Sequence, residues 1–443
     1  MISKNPNENV LNQNQLLVAI LLLAFTLRLV WVLAVPTQPI SDFKEFDRLA
    51  VSLVDGKGYV NPSGQPTAYR PPGYIYFMAG VYTIFGHHDI AVRLANVLLG
   101  VLTCWLTYAL TSEFFNQRTG LVAASILAIY PSLIAWANIL ASENLFIPLL
   151  LGISFCFVKA VKQPAIRWPW LVLCGILSGL EALVRPAGLI LPAILVASWV
   201  LIAGRDQSRK YSIQWLAKPA LSGVALYAMV LVLILPWTLR NWQVFGRFVM
   251  VSTEGGITFL SGHNEAALGA EYSLDGPLFD ALNAENLDEV SYDQRAYQLA
   301  FEFIQQHPAF EVRLLAHKAL NFFKDDISGF TYNDLSAVKP QPNWLILFSK
   351  GSAEIIYLMV LGLAVASILI KRYPLDRWYI ILLVLIVAWT AFHLAYYGKD
   401  RFRLPLTPAL AILAAVTCLA MWQKLSARFS RNAVRPVTTK KSC

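Results

Sequence analysis

Long runs of apolar residues recur along the chain and are separated by short polar connections. An α-helix needs about 20 apolar residues to cross a bilayer core of about 30 Å, and about ten runs come close to that length. Their predicted bounds are 15–35, 90–111, 119–138, 142–160, 169–186, 187–204, 217–237, 352–371, 377–397 and 402–422. The pattern predicts an all-α polytopic membrane protein with about ten or more transmembrane helices.

The segment 37–88 is too long to be a simple connection, and its pattern predicts two short helices. Apolar positions at helical spacing follow Ser41, which can cap a helix start, and end at "DGKG", which can stop a helix. The stretch "YRPPGYIYFMAGVYTIFG" predicts a second helix that begins at its prolines and is too short to span the membrane easily. Both are expected to be amphipathic juxtamembrane helices, and the second to lie along the membrane surface.

The segment 238–350 is the part of the chain with the composition of a soluble protein. It contains an acidic stretch followed by "SYDQRAYQLAFEFIQQHPAFEVRLLAHKALNFF", in which apolar residues recur at helical spacing. This segment predicts a small, mainly helical outer domain or lid packed on the membrane.

Composition and charge agree with a membrane protein. Of the 443 residues, 57% are hydrophobic and 14% charged, with a mean hydropathy of +0.53. The net charge of +9 does not indicate a nucleic-acid partner, because the cations concentrate in short loops and the C-terminal tail. By the positive-inside rule, both termini are expected in the cytoplasm. The predicted organisation is an N-terminal transmembrane module (1–237) with its first outer loop (37–88), an outer domain (238–350), C-terminal transmembrane helices (351–424) and a basic cytoplasmic tail (425–443).

Two acidic residues stand at predicted helix starts on the outer side. Asp42 follows the first span by about four residues, and Glu143 begins the fourth span after Ser142. The helix dipole favours acids at such positions, and Ser142 could be a cap. An acid at the outer membrane boundary could equally be a general base for a lipid-linked substrate, and an acid entering an apolar helix is a functional-site candidate.

Cations also gather at the outer ends of predicted spans, against the positive-inside trend. Any one of them could simply extend its side chain from the membrane to the surface. As a group they suggest a binding site for a lipid phosphate, because arginine binds phosphate with two parallel hydrogen bonds. The group comprises Arg185, Arg240, Lys399, Arg401 and Arg403.

Evidence for a cofactor is weak. His263 in "LSGHNEAALG" could bind a metal, but a single histidine without a spaced partner is more often a polar loop residue. P-loop, GxGxxG, HExxH and nucleophile-elbow motifs do not occur in the sequence. The sequence therefore predicts no particular cofactor, and a divalent metal remains possible.

At these residues the sequence resembles the GT-C membrane glycosyltransferases, specifically the bacterial branch similar to protein O-mannosyltransferases and lipid A aminoarabinose transferases (glycosyltransferase family 39-like). The matching pieces occur in the family's order. They are "SDFKEFDRLAVSLVDGKGY", "YRPPGYIYFMAGVYTIFG", "RLANVLLGVLTCWLTYAL", "LASENLF", "VRPAGLILP", "PWTLRNWQVFGRFVMVSTEGG" and "RFRLPLTPALAILAA".

The resemblance implies an inverting glycosyltransferase of a bacterial plasma membrane, with a polyprenyl-phosphate sugar donor. Its acceptor would be a lipid, glycan or protein at the outer face of the membrane. The family's essential acid falls on Asp42, and a second acidic position falls on Glu143. The first outer loop is expected to contribute substrate-loop residues, namely Glu45, Asp47, Tyr69, Arg70 and Pro71.

One residue departs from the family pattern. In the aminoarabinose branch an acid precedes the double proline, whereas this chain has Arg70 in "TAYRPP". That departure weakens any transfer of that branch's metal site and specificity to this chain.

Two other functions compete with this interpretation. A secondary transporter would be expected to place ionisable residues near the membrane midplane and to contain internal repeats, whereas this chain gathers them at the outer rim. An O-antigen ligase or polymerase would use a diphosphate-linked glycan, but the early acid-bearing loop and "RPPGY" follow the GT-C order.

Overall fold

The computed structural model describes residues 12–204, 213–270, 276–369 and 377–433. Helices dominate these ranges. The β-type pairings within them are two isolated antiparallel bridges, Thr37 with Ala337 and Val60 with Pro66. The predicted cytoplasmic loops "GRDQSRKY" and "KRYPLDR" lie almost entirely outside the described residues, as do residues 1–11 and the end of the basic tail.

Within residues 12–204 and 213–245 the structure shows ten α-helices, with 3₁₀ turns at Pro186–Ile190 and Ile213–Leu216. In chain order they are α1 (Gln13–Ala34), α2 (Ser41–Val54), α3 (Pro72–Phe85), α4 (Asp89–Phe114), α5 (Gln117–Ala128), α6 (Pro131–Ala137), α7 (Glu143–Val161), α8 (Trp168–Val184), α9 (Leu191–Ala203) and α10 (Ala217–Phe245).

Short helices follow α10, and long helices return near the end of the chain. They are α11 (Gly255–Ser261), α12 (Pro277–Ala284), α13 (Glu289–Gln306), α14 (Pro308–Phe323), α15 (Ser328–Leu335), α16 (Asn343–Leu369), α17 (Arg377–Leu394), α18 (Asp400–Arg403) and α19 (Thr407–Ala433). The predicted helical character of the segment before α16 is thus confirmed.

The predicted membrane-spanning segments all coincide with helices. By length and composition, seven helical segments of the described chain could cross a membrane, and the α5–α6 pair, bent by 59°, would make an eighth. This number is lower than the ten or so predicted, because α8 and the apolar part of α17 are shorter than a full span. The all-α polytopic fold class is confirmed.

Two predicted boundaries differ from the structure. Helix α10 continues through Pro236 to Phe245 and ends where Gly246 adopts a left-handed conformation with φ of 64°. Helix α16 begins at Asn343. The stretch between the long helices is therefore shorter than the predicted 238–350, and Arg240 belongs to the last turns of a long helix.

Helix α2 has the predicted amphipathic character but not the predicted cap. Its buried face includes Phe43, Phe46 and Leu49. Ser41 makes no side-chain capping bond and has a φ of 48°, a left-handed conformation that is uncommon for a residue other than glycine. The chain thus turns sharply directly before Asp42.

The C-terminal span lies at the centre of the bundle. In the segment Asp400–Ser426, 83% of the apolar window is buried inside the protein, compared with 22% for α1. Helix α19 packs against α5 and α16, and α7 packs against the 3₁₀ turn Leu404–Leu406. Arg401 and Arg403, which directly precede this turn, are consequently buried in the protein interior.

Candidate functional site

A cavity of about 530 Å³ opens where α2, the loop before α3, the turn after α8, the α10–α11 connection and the α17–α18 connection meet. Apolar side chains, including Ile190, Met250 and Phe392, form much of its wall. Its charged lining residues are Asp42, Arg70, Arg185, Glu254, Lys399 and Arg401. Five of these six come from the candidates that the sequence singled out.

Asp42 projects into this cavity from the first turn of α2. One carboxylate oxygen lies 2.6 Å from Nη2 of Arg70, and the other lies 3.4 Å from Nη1 of Arg401. Burial alone would raise the pKa of this carboxyl, but the two guanidinium groups hold the pKa below its ordinary value. Asp42 is therefore an ionised carboxylate in neutral solution, and 31% of its side chain remains exposed.

Glu143 is almost fully buried behind the cavity wall, with 1% of its side chain exposed. It accepts hydrogen bonds from Arg185 and from Arg401, whose Nη2 lies 3.3 Å from Oε2. Ser142 does not cap the helix; its hydroxyl lies 3.5 Å from Oε2 of Glu143. The structure thus brings Glu143 to the arginines and not to the cavity surface.

Arg70 lies among three carboxylates and uses a different nitrogen for each. Nη2 contacts Asp42 at 2.6 Å, Nε contacts Glu45 at 2.7 Å, and Nη1 contacts Glu254 at 3.2 Å. These carboxylates raise the pKa of Arg70 despite its burial, so the guanidinium is permanently charged.

Glu254 is a member of the site that the sequence analysis did not single out. It stands directly before α11, and burial raises the pKa of its carboxyl although Arg70 opposes this shift. The one available signal was its position in "VSTEGG", within a stretch that matches the family pattern.

The structure does not bring Arg240 or Arg403 to the cavity. The guanidinium of Arg240 donates to the backbone oxygens of Thr67 at 2.7 Å and Tyr59 at 3.0 Å. That of Arg403 donates to the backbone of Asp325 at 2.6 Å and pairs with the Asp326 carboxylate at 3.0 Å. Both arginines tie loops to helices, so we do not carry forward the phosphate-binding expectation for them.

Two other candidates also lie outside the cavity lining. Asp47 accepts a hydrogen bond from the Tyr82 hydroxyl at 2.5 Å and lies 3.2 Å from His87. Both ring nitrogens of His263 are engaged, Nδ1 with Glu311 at 2.9 Å and Nε2 with the backbone oxygen of Ala395 at 2.8 Å. Protein contacts therefore hold the His263 ring at both nitrogens.

The residues at the cavity do not fit a resident divalent cation. Among the residues that the structure describes, no group of three or more His, Cys, Asp or Glu side chains is arranged to hold a metal ion. The carboxylates that do converge, those of Asp42, Glu45 and Glu254, surround the Arg70 guanidinium instead.

The chemistry of the cavity suits an anionic substrate and a proton transfer. Four cationic side chains, those of Arg70, Arg185, Lys399 and Arg401, outnumber the lining carboxylates of Asp42 and Glu254. Such a surface can bind a phosphate group. The ionised Asp42 carboxylate reaches the same space and can accept a proton there.

The sequence is similar to known mannosyltransferases. Residues 69–239 match the family described as dolichyl-phosphate-mannose-protein mannosyltransferase. The chain is also 27% identical, over 150 residues, to "Putative mannosyltransferase YycA" of Bacillus subtilis (strain 168), which covers 34% of this chain and 22% of that protein.

Solved structures of two membrane proteins share the fold. The archaeal oligosaccharyltransferase AglB from Archaeoglobus fulgidus, in complex with an inhibitory peptide and a dolichol-phosphate, superposes with a TM-score of 0.57 and 16% identity over 97% of this chain. ArnT from Cupriavidus metallidurans, bound to undecaprenyl phosphate, superposes with a TM-score of 0.55 and 16% identity over 91% of this chain.

The chain spans about half the length of these solved structures, 52% of AglB and 59% of ArnT. At such low identity the likeness to the solved structures shows a shared fold. The sequence match over residues 69–239 is to a family of glycosyltransferases as well. Together they confirm the resemblance inferred from the sequence, and the chain has the fold of the GT-C membrane glycosyltransferases.

Proposed function

We propose that this protein is an inverting glycosyltransferase of a bacterial plasma membrane, which moves a sugar from a polyprenyl-phosphate donor to an acceptor at the outer face. The observation that carries the proposal is the ionised carboxylate of Asp42, which shares one cavity with four cationic side chains. The acceptor is a lipid, a glycan or a protein. Support also comes from AglB and ArnT, whose structures hold dolichol-phosphate and undecaprenyl phosphate respectively.

Asp42 is assigned as the general base. An acceptor hydroxyl attacks the anomeric carbon, the bond from that carbon to the phosphate oxygen breaks, and the phosphate leaves with the electron pair. The hydroxyl proton passes to Asp42. A base of low pKa is sufficient for this reaction, because the hydroxyl becomes strongly acidic as the new bond to the anomeric carbon forms. One displacement inverts the anomeric configuration.

The phosphate is assigned to the cations on the cavity wall. Arg185 lines the cavity from the turn after α8, and Lys399 and Arg401 line it from the start of α18. Together they can neutralise the charge that develops on the leaving group. Glu143 does not line the cavity, and we assign it a positioning role. Its carboxylate binds Arg185 and Arg401 and holds both guanidinium groups in the orientations seen in the structure.

The orientation in the membrane belongs to the same proposal. Cations in the short loops support cytoplasmic termini, and the cavity residues then lie at the extracytoplasmic end of the bundle. A sugar carried by a membrane lipid can reach that end without entering water, because the apolar wall near Ile190 and Met250 can accept prenyl units.

Donor binding provides the first test. The purified protein should be stabilised against heat by undecaprenyl phosphate, and mass spectrometry should find a copurified polyprenyl-phosphate monosaccharide. Arg401→Ala and Arg185→Ala should reduce the stabilisation. Arg247→Ala should not, since Arg247 pairs with Asp288 and Ser291 away from the cavity. A preference for undecaprenyl diphosphate would favour the ligase interpretation, and stabilisation by neither lipid would contradict the proposal.

A further inference from the structure

We propose that the Arg70 guanidinium takes the place that a divalent metal ion would occupy beside the catalytic base, so that sugar transfer is independent of metal. The catalytic part of this inference rests on the proposed function. Its structural part, a cation supplied by the chain itself at the centre of an acidic cluster, can be tested without any substrate.

The geometry supports a site built around the guanidinium. Only 12% of the Arg70 side chain is exposed, whereas about a third of each surrounding carboxylate is exposed, with values of 31% for Asp42, 29% for Glu45 and 30% for Glu254. The cation is thus the most enclosed member of the cluster. Glu254 comes from a distant part of the chain, so tertiary folding assembles the cluster.

Arg70 is held from several sides. Its guanidinium carbon lies 4.9 Å from the ring centre of Tyr69 and 5.6 Å from that of Phe46. The Tyr59 hydroxyl donates a hydrogen bond of 2.8 Å to the Arg70 backbone oxygen. Pro71 follows directly and restricts the backbone of Arg70 to extended conformations. A cation that is fixed in this way needs little rearrangement when a substrate binds.

Asp42 itself faces two positive charges, although Arg70 also pairs with Glu45 and Glu254 and Arg401 with Glu143. Asp42 contacts two guanidinium groups, Arg70 on one oxygen and Arg401 on the other, which together supply two positive charges. Directional N–H donors replace metal–oxygen bonds and orient both carboxylate oxygens. Because Arg70 also lines the cavity, its charge reaches the space where a donor phosphate would bind.

Removal of Arg70 would leave Asp42, Glu45 and Glu254 with less opposing charge. Three neighbouring carboxylates repel one another, and hard divalent cations bind such oxygen groups. Arg70→Ala is therefore expected to create a metal requirement that the natural protein lacks. Arg70→Lys retains one charge but cannot contact three carboxylates with a fixed planar group, so it should remain insensitive to metal and transfer sugar at a reduced rate.

The experiment measures metal content, melting temperature and sugar transfer on the same purified preparations. After dialysis against a chelator, the natural protein should contain no stoichiometric divalent metal, show no Mn²⁺-dependent rise in Tm, and keep its transfer rate. Arg70→Ala should lose at least about tenfold in transfer and gain a Tm rise with Mn²⁺. The double variant Arg70→Ala/Glu254→Gln should lose that rise. Arg247→Ala is the matched control and should behave as the natural protein.

Two results would overturn the inference. One is a stoichiometric divalent metal in the natural protein whose removal lowers Tm or transfer. The other is a folded Arg70→Ala protein that Mn²⁺ does not stabilise. If Arg70→Ala fails to fold, the measurements on the natural protein and on Arg70→Lys decide. If transfer is undetectable in every preparation while the metal and Tm results are as expected, the proposed function fails and the charge replacement stands.

Discussion

Arg401 binds the buried carboxylate of Glu143 with two guanidinium nitrogens, Nε at 2.5 Å from Oε1 and Nη2 at 3.3 Å from Oε2. The remaining nitrogen, Nη1, lies 3.4 Å from Asp42. One side chain therefore connects the two acids that the sequence singled out. It also fixes the distance between a buried acid in α7 and a half-buried acid in α2.

Glu143→Gln should impair both stability and donor use. The substitution leaves Arg185 and Arg401 without their buried counter-charge, and breaking a buried pair costs about 3–5 kcal/mol. We expect a lower Tm and a higher KM for the donor in the folded fraction, because Arg185 and Arg401 lose their fixed orientation. Thermal unfolding and donor-saturation kinetics measure the two effects separately.

Glu113→Gln is the matched control for Glu143→Gln. Glu113 pairs with Lys159 and Lys162, but 21% of its side chain is exposed and it does not line the cavity. Loss of this more exposed pair should cost at most about 1 kcal/mol and leave donor KM unchanged. Equal effects of the two substitutions would remove the positioning role of Glu143.

Arg401→Lys and Arg403→Lys should have different consequences although the residues are nearly adjacent. Arg401→Lys removes the two-nitrogen contact with Glu143, so donor KM should rise. Arg403 instead donates to backbone oxygens and stacks on Tyr357 at 3.9 Å. Arg403→Lys should lower Tm without a change in donor KM. A donor defect in Arg403→Lys, with normal kinetics in Arg401→Lys, would reverse the assignment.

These neighbours illustrate what the sequence could predict. Apolar runs indicated every long helix, and the resemblance to a family indicated Asp42. The sequence could not tell which arginine faces the cavity, because residues two apart on a helix point in nearly opposite directions and the helix phase depends on packing. Glu254 was missed for a related reason, since its role depends on a tertiary contact with Arg70.

Protonation of Asp42 should not lower the transfer rate in the neutral pH range. Its folded pKa lies below the ordinary value of 3.8. The stabilisation from its ion pairs is present above the unfolded pKa and is lost as the pH falls through the lower folded value. As the pH is lowered, Asp42 should therefore cause no decrease in the transfer rate until the solution is strongly acidic.

The pKa of Glu254 is shifted in the opposite direction to that of Asp42. Its folded pKa is raised by burial, so ionisation of Glu254 opposes folding, and this cost disappears as the pH falls through the folded value. If the transfer rate falls at a pH above the ordinary range of a glutamate, Glu254→Gln should remove that decrease. The decrease in rate could instead persist in Glu254→Gln and shift to higher pH in Arg70→Lys. That result would assign the decrease to protonation of Asp42 and contradict the lowered pKa of Asp42.

Cysteine labelling tests the orientation in the membrane. With a membrane-impermeant reagent, Lys57→Cys should label in intact cells, because 68% of the Lys57 side chain is exposed and its loop is predicted to be outside. Lys162→Cys, at a side chain that is 40% exposed, should label only after permeabilisation. Ser208, which lies outside the described residues, offers a second cytoplasmic position. Labelling of Lys162→Cys or Ser208→Cys from outside would invert the scheme.

Asp42→Asn should abolish most of the transfer activity. The amide has nearly the shape of the carboxylate but cannot accept the acceptor's proton, so turnover should fall by at least about 100-fold. Folding should be retained, because the side chain is partly exposed and Arg70 keeps its contacts with Glu45 and Glu254. Turnover with a polyprenyl-phosphate sugar is the measurement, together with expression level and Tm.

Two neighbouring acids of α2 complete this test. Asp47→Asn should change turnover little, since Asp47 contacts Tyr82 and His87 away from the cavity. Glu45→Gln should have an intermediate effect, because Glu45 holds Arg70 but does not line the cavity. Near-normal transfer by Asp42→Asn alongside a large loss in one neighbour would move the base to that neighbour. Activity in all three variants would show that α2 does not supply the base at all.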